Sequence, residues 1–346
     1  MESIDYIRCT SQLNFSLGYI GYNAPNSCAG LSERRLMADS IQHILNRLPR
    51  FAGHAGLRIT ELSGGITNRN YKIELDHEIY VLRIGGNETI HLGIDRRVEY
   101  GCTLAASRVG VAPEPIAFLE PEGYLVTRFV AGVGIPAEQI ADAGTIRRVV
   151  ASLKLYHALE QFPGQFSPFR VVETYEDTAR RFGVSLPANM NRFLNLSREI
   201  ETALRRDPFT PRPCHNDLLN GNFIDDGTRI RILDWEYGGL GDVFFDLGNF
   251  AAQHDFTADQ EELLLRAYFG IDDLGRDDPA GRLYGPRRAR LKLMRVMSDL
   301  REAMWAMVQA GVSKLDFDYA GYGQKYFDRV EAAVSGAQYQ NALAEF

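Results

Sequence analysis

The sequence predicts an α+β protein with two lobes: a small N-terminal lobe built on an antiparallel sheet plus a helix, and a large, mainly helical C-terminal lobe. Three observations support this prediction. Short runs of alternating apolar and polar residues crowd the region 57–130, and helical periodicity dominates after residue 140. The 346 residues suffice for two domains or for one large two-lobed unit.

The chain opens with a segment that has no clear period. Residues 1–30 carry Gly, Asn and Pro, and we expect a loosely ordered extension there. Ser32 precedes ERRLMADSIQHILNRL, whose apolar residues recur at helical spacing, so a helix is predicted. Alternating runs at 57–62, 70–75 and 78–84 predict three antiparallel strands joined by turns.

A helix and two further strands complete the predicted small lobe. The helix covers residues 95–110, and the segments PIAFLE and GYLVTRFV predict the strands that follow it. The chain changes character after RFVAGVGIP, which places the boundary between the lobes near Arg128–Gly132. The predicted units are therefore 1–30, 31–130 and 131–346.

The large lobe is predicted to consist mostly of helices. Helical periodicity covers the segments 142–160, 173–183, 188–206, 242–255, 258–270 and 287–311. A last helix is predicted in DYAGYGQKYFDRVEAAV near the end of the chain. Two short apolar runs, NFI and IRIL, interrupt the helices and are typical of buried strands.

Composition excludes several classes of protein. No stretch approaches the roughly 20 apolar residues needed to span a bilayer, and no secretory signal is recognisable. The four cysteines are scattered without a CxxC pair, which argues against a zinc site or a disulfide framework and favours a reducing, cytoplasmic setting. A net charge of −7 argues against nucleic acid as a partner and is compatible with a cationic substrate.

The stretch CHNDLLNGNFIDDGTRIRILDWEY concentrates polar side chains beside the two apolar runs. Asp217 and Asn222 have the five-residue spacing that protein kinases use for a base and a metal ligand, and Asp234 follows the next predicted strand. Their oxygens suit Mg²⁺. His215 is interpreted as a structural residue that supports the loop backbone, since Asp217 already provides the base.

Two charged residues of the small lobe fit the same chemistry. Arg83 lies on a predicted strand, where kinases place a cation for the phosphates, and an arginine fork matches phosphate geometry. Glu99, on the following helix, would hold that cation. The turn SGGITN is a candidate phosphate cover. The sequence contains no GxxxxGK[ST] motif, which excludes a P-loop.

These segments resemble the choline/ethanolamine kinases, within the aminoglycoside-phosphotransferase-like group. The resemblance spans Leu57 to Val334 and rests on SGGITNRNY, YVLRIGG, RRVEY, CHNDLLNGNF, ILDWEYGGLGDVFFDLGNF and the segment from MWAMVQAG to FDYAGYGQKYF. It implies a protein-kinase-like fold, with ATP bound between the lobes and residues 31–130 as the nucleotide-binding lobe. It also implies ATP- and Mg²⁺-dependent phosphorylation of an amino alcohol; from the composition, neither a membrane nor nucleic acid is expected as a partner.

The resemblance implies a role for each matching residue. The base is Asp217, and the metal ligands are Asn222, Asp234 and, as an acidic neighbour, Glu236. Nucleotide binding is implied for Arg83, Glu99, Gly65, Thr67 and Asn68. The substrate ammonium is implied to lie against Tyr237, Trp305 and Tyr322. Asp246, in FFDLGNF, is implied to brace the loop that carries the base.

One segment departs from the family pattern. Where some choline kinases carry a second aromatic residue one helical turn before the tryptophan, this chain has Arg301 and Glu302. A carboxylate at Glu302 would favour a primary ammonium over a trimethylated one. The expected substrate is choline or ethanolamine, and this departure keeps ethanolamine or another amino alcohol open. The alternatives are a kinase of the same fold for another alcohol, such as thiamine, an aminoglycoside or a sugar, and a nucleotide-binding module without catalysis. The oligomeric state, a homodimer included, is left open.

Overall fold

The computed structural model describes residues 40–54, 56–62, 68–270 and 284–346. The expected N-terminal extension lies outside these residues, as does the 63–67 part of the glycine turn. Of the helix predicted after Ser32, residues 40–45 are described and are helical.

The small lobe is built on a five-stranded antiparallel sheet with strand order β1-β2-β3-β5-β4. Its strands are β1 Arg58–Leu62, β2 Asn68–Leu75, β3 Glu78–Gly85, β4 Pro115–Leu119 and β5 Tyr124–Arg128. Alternate side chains of β2 and β3 face the core, which follows from the two-residue period of a strand. The sheet therefore has an apolar core of its own, whereas Cys102 and Ala106, between β3 and β4, belong to the core of the large lobe.

One long helix of the small lobe, α1 (Arg96–Arg108), follows β3 and packs against β4. Asp95 caps its N-terminus by accepting from the backbone N–H groups of Arg97 and Val98 at 2.8 and 3.3 Å. Its inner face includes Glu99, which is 2% exposed. A buried carboxylate requires partners, so this helix already points to an ion-pair site beneath the sheet.

The chain enters the large lobe through a short strand, β6 (Val133–Gly134), which pairs with β8 (Phe223–Asp225). β8 pairs in turn with β9 (Ile230–Ile232). A second small pair joins β7 (Arg212–Cys214) to β10 (Gly239–Gly241). The loops between these strands carry the polar residues of the stretch 214–237, and the strand pairs fix where the loops begin and end.

Helices surround these strand pairs. They are α2 Ala143–His157, α3 Pro168–Arg181, α4 Met190–Leu204, α5 Val243–Gln253, α6 Ala258–Phe269, α7 Tyr284–Val312, α8 Tyr319–Val334 and α9 Ala337–Ala344. The long α7 contacts α3, α5 and α8 and forms the centre of the large core. Among the described residues, no helix combines the length and apolar character needed to cross a membrane.

Helix α3 begins five residues before the predicted start at 173. Ser167 accepts a hydrogen bond from the backbone N–H of Arg170, and Pro168 occupies the first turn. Serine followed by proline is a typical helix start, because the cap satisfies a free N–H and proline has none to lose. The sequence signal was present, and the prediction was wrong because it followed periodicity alone.

Candidate active site

The loop 215–222, between β7 and β8, is held from behind by helix α5. The Asp246 carboxylate accepts from the backbone N–H groups of His215 and Asn216 at 2.9 and 2.6 Å. One turn further along α5, Asn249 Oδ1 accepts from the backbone N–H of Leu218 at 2.6 Å. The first turns of α5 therefore fix the loop backbone on both sides of Asp217.

Both carboxylate oxygens of Asp246 accept hydrogen bonds. It is 0% exposed and also accepts from Tyr156 Oη at 2.6 Å and His157 Nε2 at 2.9 Å. Burial raises its pKa, but the His157 hydrogen bond and charge outweigh burial and leave the pKa below its usual value. Cys214 lies close to His157 and Asp246. However, the other ring nitrogen of His157 bonds Tyr268 Oη at 2.7 Å, and Cys214 Sγ donates to the carbonyl oxygen of Arg212, so the His157 and Asp246 side chains belong to a structural hydrogen-bond network.

His215 supports both loops of the site. Its Nδ1 accepts from the backbone N–H of Asp217 at 3.2 Å, and its Nε2 lies 2.8 Å from the carbonyl oxygen of Leu233. Complete burial lowers the pKa of this histidine, so its ring is neutral at pH 7. Its ring also packs edge-on against Trp235, with centroids 4.7 Å apart. These contacts are those of a loop-supporting residue, the interpretation drawn from the sequence.

Asp217 is a buried carboxylate with few donors. It is 9% exposed, and its Oδ1 accepts from Arg301 Nη1 at 3.1 Å. Burial raises its pKa to about 7, Arg301 opposes that rise, and the charges of Glu302, Asp234 and Glu236 add to it. A carboxylate that titrates near neutral pH is matched to accepting a proton from a bound hydroxyl.

Asn222 and Asp234 offer oxygen atoms beside Asp217. Asn222 Nδ2 donates to the backbone carbonyl of Asp217 at 2.9 Å, which leaves its Oδ1 as the ligand atom it can offer. Asp234 has a backbone φ of +61° and a side chain that remains 33% exposed. Left-handed backbone at a non-glycine residue is uncommon and often marks a functional site.

The residues present fit a magnesium ion. The charge of Asp234 raises the pKa of both Asp217 and Glu236, so three carboxylates crowd one place. Oxygen ligands of this kind are those that Mg²⁺ prefers, and Asn222 and Asp234 would hold it. When bound, the ion would supply positive charge for the phosphate groups of a nucleotide.

A group of charged residues joins the two lobes, and we call it the inter-lobe cluster; its members are Asn68, Arg83, Arg96, Glu99, Asp234 and Glu236. From β3, Arg83 forms ion pairs with Glu99 and Asp234. A salt bridge between a strand cation and the glutamate of the next helix is the arrangement predicted from the sequence. The structure adds that the same cation also reaches Asp234 across the lobes.

Arg96 is the part of the inter-lobe cluster that sequence reasoning missed. Its Nη1 lies 2.6 Å from Glu99 Oε2 and 3.1 Å from Glu236 Oε2, and its Nη2 donates to Asn68 Oδ1 at 2.8 Å. Asn68 Nδ2 donates to Glu236 Oε2 at 2.9 Å. Arg96 and Glu99 are three positions apart and so lie on the same face of one helix, and this spacing could have predicted their ion pair from the sequence.

These contacts bear on two predicted roles. Glu236 is buried, and its Oε2 accepts from the small lobe, so its metal-ligand role stays a prediction. Asn68 is likewise buried in the inter-lobe cluster, and its part in nucleotide binding also stays a prediction. Gly65 and Thr67, assigned to the phosphate cover, lie outside the described residues.

The predicted ammonium site is partly assembled. Trp305 and Tyr322 pack edge-on with centroids 6.1 Å apart, and Tyr322 Oη donates to Glu302 Oε1 at 2.8 Å. The ring of Tyr237 is already covered, because Arg301 Cζ lies 4.3 Å from its centroid. Tyr237 is thus placed near the site as predicted, but a cation of the chain itself occupies one of its faces.

The fold, with a small antiparallel-sheet lobe and a large helical lobe, defines the class of protein as a phosphotransferase. The family model described as "Phosphotransferase enzyme family" matches residues 58–284, and the chain belongs to that family. Relatives and solved structures that are similar to this chain confirm the predicted fold and the resemblance to the choline/ethanolamine kinases.

Individual relatives show which kinases of this family the chain is similar to. The chain is 27% identical over 209 residues to Protein LicA of Haemophilus influenzae, a match that covers 59% of this chain and 61% of that protein. It is 24% identical over 307 residues to probable ethanolamine kinase A of Dictyostelium discoideum, covering 79% and 84% of the two chains. A crystal structure of a choline/ethanolamine kinase family protein from Mesorhizobium loti superposes with a TM-score of 0.74 at 29% identity, covering 89% and 98%.

Proposed function

We propose that the protein transfers the γ-phosphate of ATP, with Mg²⁺, to the hydroxyl of an amino alcohol. The substrate is choline or ethanolamine, and the products are phosphocholine or phosphoethanolamine and ADP. The observation that carries the proposal is the continuous contact chain Asp217–Arg301–Glu302–Tyr322. It joins a proton acceptor to a carboxylate and an aromatic ring in one site.

In the proposed reaction, Asp217 orients the substrate hydroxyl and accepts its proton. The hydroxyl oxygen forms a bond to the γ-phosphorus as the bond to the β–γ bridging oxygen breaks, and ADP leaves. His215, Asn216 and Asp246 keep the loop in place, so that little reorganisation is needed at the moment of transfer. Arg83, held by Glu99, provides the phosphate-directed cation of the small lobe.

The ammonium of the substrate is proposed to bind near Trp305, Tyr322 and Glu302. Trp305 and Tyr322 are only partly buried, so part of each side chain is accessible to a ligand. An ammonium on an aromatic face gains roughly 0.5–2 kcal/mol, more as water is excluded. The Glu302 carboxylate is 5% exposed and adds a negative charge with little solvent screening.

A coupled assay of ADP release with ATP, Mg²⁺ and a panel of amino alcohols tests the proposal. We expect turnover with ethanolamine or choline and none by Asp217→Asn. Absence of turnover with every cationic alcohol would exclude the function. Thiamine, an aminoglycoside and a sugar belong in the panel, because turnover of one of these, unaffected by Trp305→Ala and Tyr322→Ala, would select the alternative acceptor.

A further inference from the structure

Arg301 is an unusual residue for a site that receives a cation. It lies in the middle of α7 and is 1% exposed. Its guanidinium covers the ring of Tyr237, with Cζ 4.3 Å from the centroid. Its Nη1 bridges two carboxylates, Asp217 Oδ1 and Glu302 Oε2, both at 3.1 Å. A positive charge of the chain is thus fixed between the proton acceptor and the acid of the ammonium site.

The remaining donors of Arg301 are not satisfied within the described chain. Its Nε and Nη2 are buried and have no hydrogen-bond partner among the described residues. A buried guanidinium with two open donors is costly to the fold, which points to a role in the site rather than in stability. The nearby acids Asp217 and Glu302 bond only Nη1.

Helix geometry places this charge next to the aromatic pair. Trp305 is four residues after Arg301 on α7, so the two side chains lie on the same helix face. Glu302 connects them, because its Oε1 accepts from Tyr322 Oη, which packs against Trp305. A substrate ammonium bound at Trp305 and Tyr322 therefore lies close to a resident guanidinium.

We propose that Arg301 is a specificity-determining residue that makes the site select a primary ammonium over a quaternary one. The inference rests on the proposed function and deepens it. Arg301 removes the face of Tyr237 from the substrate and repels a second cation. A primary ammonium can offset that repulsion by donating N–H bonds to Glu302, whereas a trimethylated nitrogen has no N–H to donate.

The test compares kcat/KM for ethanolamine and choline in the wild type and in Arg301→Met and Arg301→Lys. We expect the wild type to prefer ethanolamine at least tenfold. Arg301→Met should shift the ratio of the two kcat/KM values at least tenfold toward choline, and Arg301→Lys should shift it less than threefold. Arg301→Met also disturbs Asp217, but that loss affects both substrates alike and cancels in the ratio.

Arg295→Met is the matched control. Arg295 lies on the same helix, six residues earlier, and contacts Glu261 and the carbonyl of Phe256 rather than the site. We expect its ratio to equal that of the wild type. A wild-type preference for choline, or a ratio in Arg301→Met within twofold of the wild type, would overturn the inference.

Ligand binding without ATP separates this inference from the proposed function. Only two tryptophans are present, and Trp235 is fully buried, so a change in fluorescence on adding choline or ethanolamine reports on Trp305. Tighter choline binding in Arg301→Met, without turnover of any amino alcohol by the wild type, would retain the selectivity and remove the function. Turnover by the wild type, with a choline-to-ethanolamine ratio of kcat/KM that is unchanged in Arg301→Met, would retain the function and remove the selectivity.

Discussion

Two buried aspartates, Asp246 behind the 215–222 loop and Asp217 within it, have opposite surroundings. Behind the loop, Asp246 accepts four hydrogen bonds, and its pKa lies below the usual value. At the front, Asp217 accepts from Arg301 alone among the side-chain bonds described, and burial raises its pKa to about 7. Both are almost fully buried, so burial alone does not decide their chemistry.

The number of hydrogen-bond donors around each carboxylate decides its chemistry. A carboxylate surrounded by N–H and O–H groups keeps its negative charge and becomes a fixed part of the fold. A carboxylate that is buried with other acids and few donors holds a proton more readily and can exchange it with a substrate. Asp246 is therefore interpreted as a residue of the scaffold and Asp217 as the reactive one, and substitution of each should have a different result.

The largest expected effect is on turnover in Asp217→Asn. The amide keeps the shape of the side chain but cannot accept the proton, so we expect kcat to fall roughly 10²- to 10⁴-fold. Nucleotide binding, measured by calorimetry, and the melting temperature should stay near the wild-type values. Near-normal turnover in this variant would show that Asp217 is not the base.

Asp246→Asn should show the converse behaviour. In one orientation the NH₂ group of the amide faces the backbone N–H of His215 with Tyr156 Oη and His157 Nε2, and in the other it faces the backbone N–H of Asn216. In both orientations a donor therefore faces a donor. Loss of a buried anion of this kind costs about 3–5 kcal/mol, measurable by urea unfolding. Asp225→Asn, which removes a surface ion pair with Arg148, is the control and should cost about 1 kcal/mol or less.

Asp234→Ala extends the comparison to a third aspartate, one that is partly exposed. If Asp234 binds the ion, its loss should weaken binding of Mg²⁺·ATP by at least the roughly 10–100-fold that loss of an outer-shell partner costs. A magnesium titration of nucleotide binding measures this. The control is Asp259→Ala, an exposed aspartate in the first turn of α6. Equal affinities in the two variants would remove Asp234 from the metal site.

The smallest effect concerns His254, which packs beside Phe250 and donates from Nε2 to the carbonyl oxygen of Leu218 in the loop at 3.1 Å. Burial lowers its pKa from 6.5 to about 4. The unfolded chain therefore binds more protons between these values, so this residue stabilises the fold above pH 6.5 and loses that contribution as pH falls toward 4.

His254→Gln removes this titration and retains a side-chain N–H for the Leu218 carbonyl. Between pH 7 and 4.5 we expect the free energy of unfolding to fall by roughly 2–3 kcal/mol less in the variant than in the wild type. Asp299, whose pKa burial raises to about 6, acts in the opposite direction in both proteins and cancels in the difference. Identical slopes would contradict the assigned pKa shift.

The local sequence pattern was enough to predict much of the fold and of the candidate site. Strand alternation in β2 and β3, helical periodicity in α7 and the spacing of Asp217, Asn222 and Asp234 are all properties of neighbouring residues. They predicted the order of elements, the class of chemistry and the Arg83–Glu99 pair. Residues such as Ser167 and Pro168 carried a helix start that was readable but was not used.

Tertiary structure decided what those residues do to one another. Arg301 is 84 residues from Asp217 along the chain, and Asn68 is 168 residues from Glu236. No sequence period relates such positions, because their contact depends on how α7 and the two lobes pack. The pKa of a carboxylate depends on the donors and charges within a few ångströms, so only the folded chain distinguishes Asp217 from Asp246.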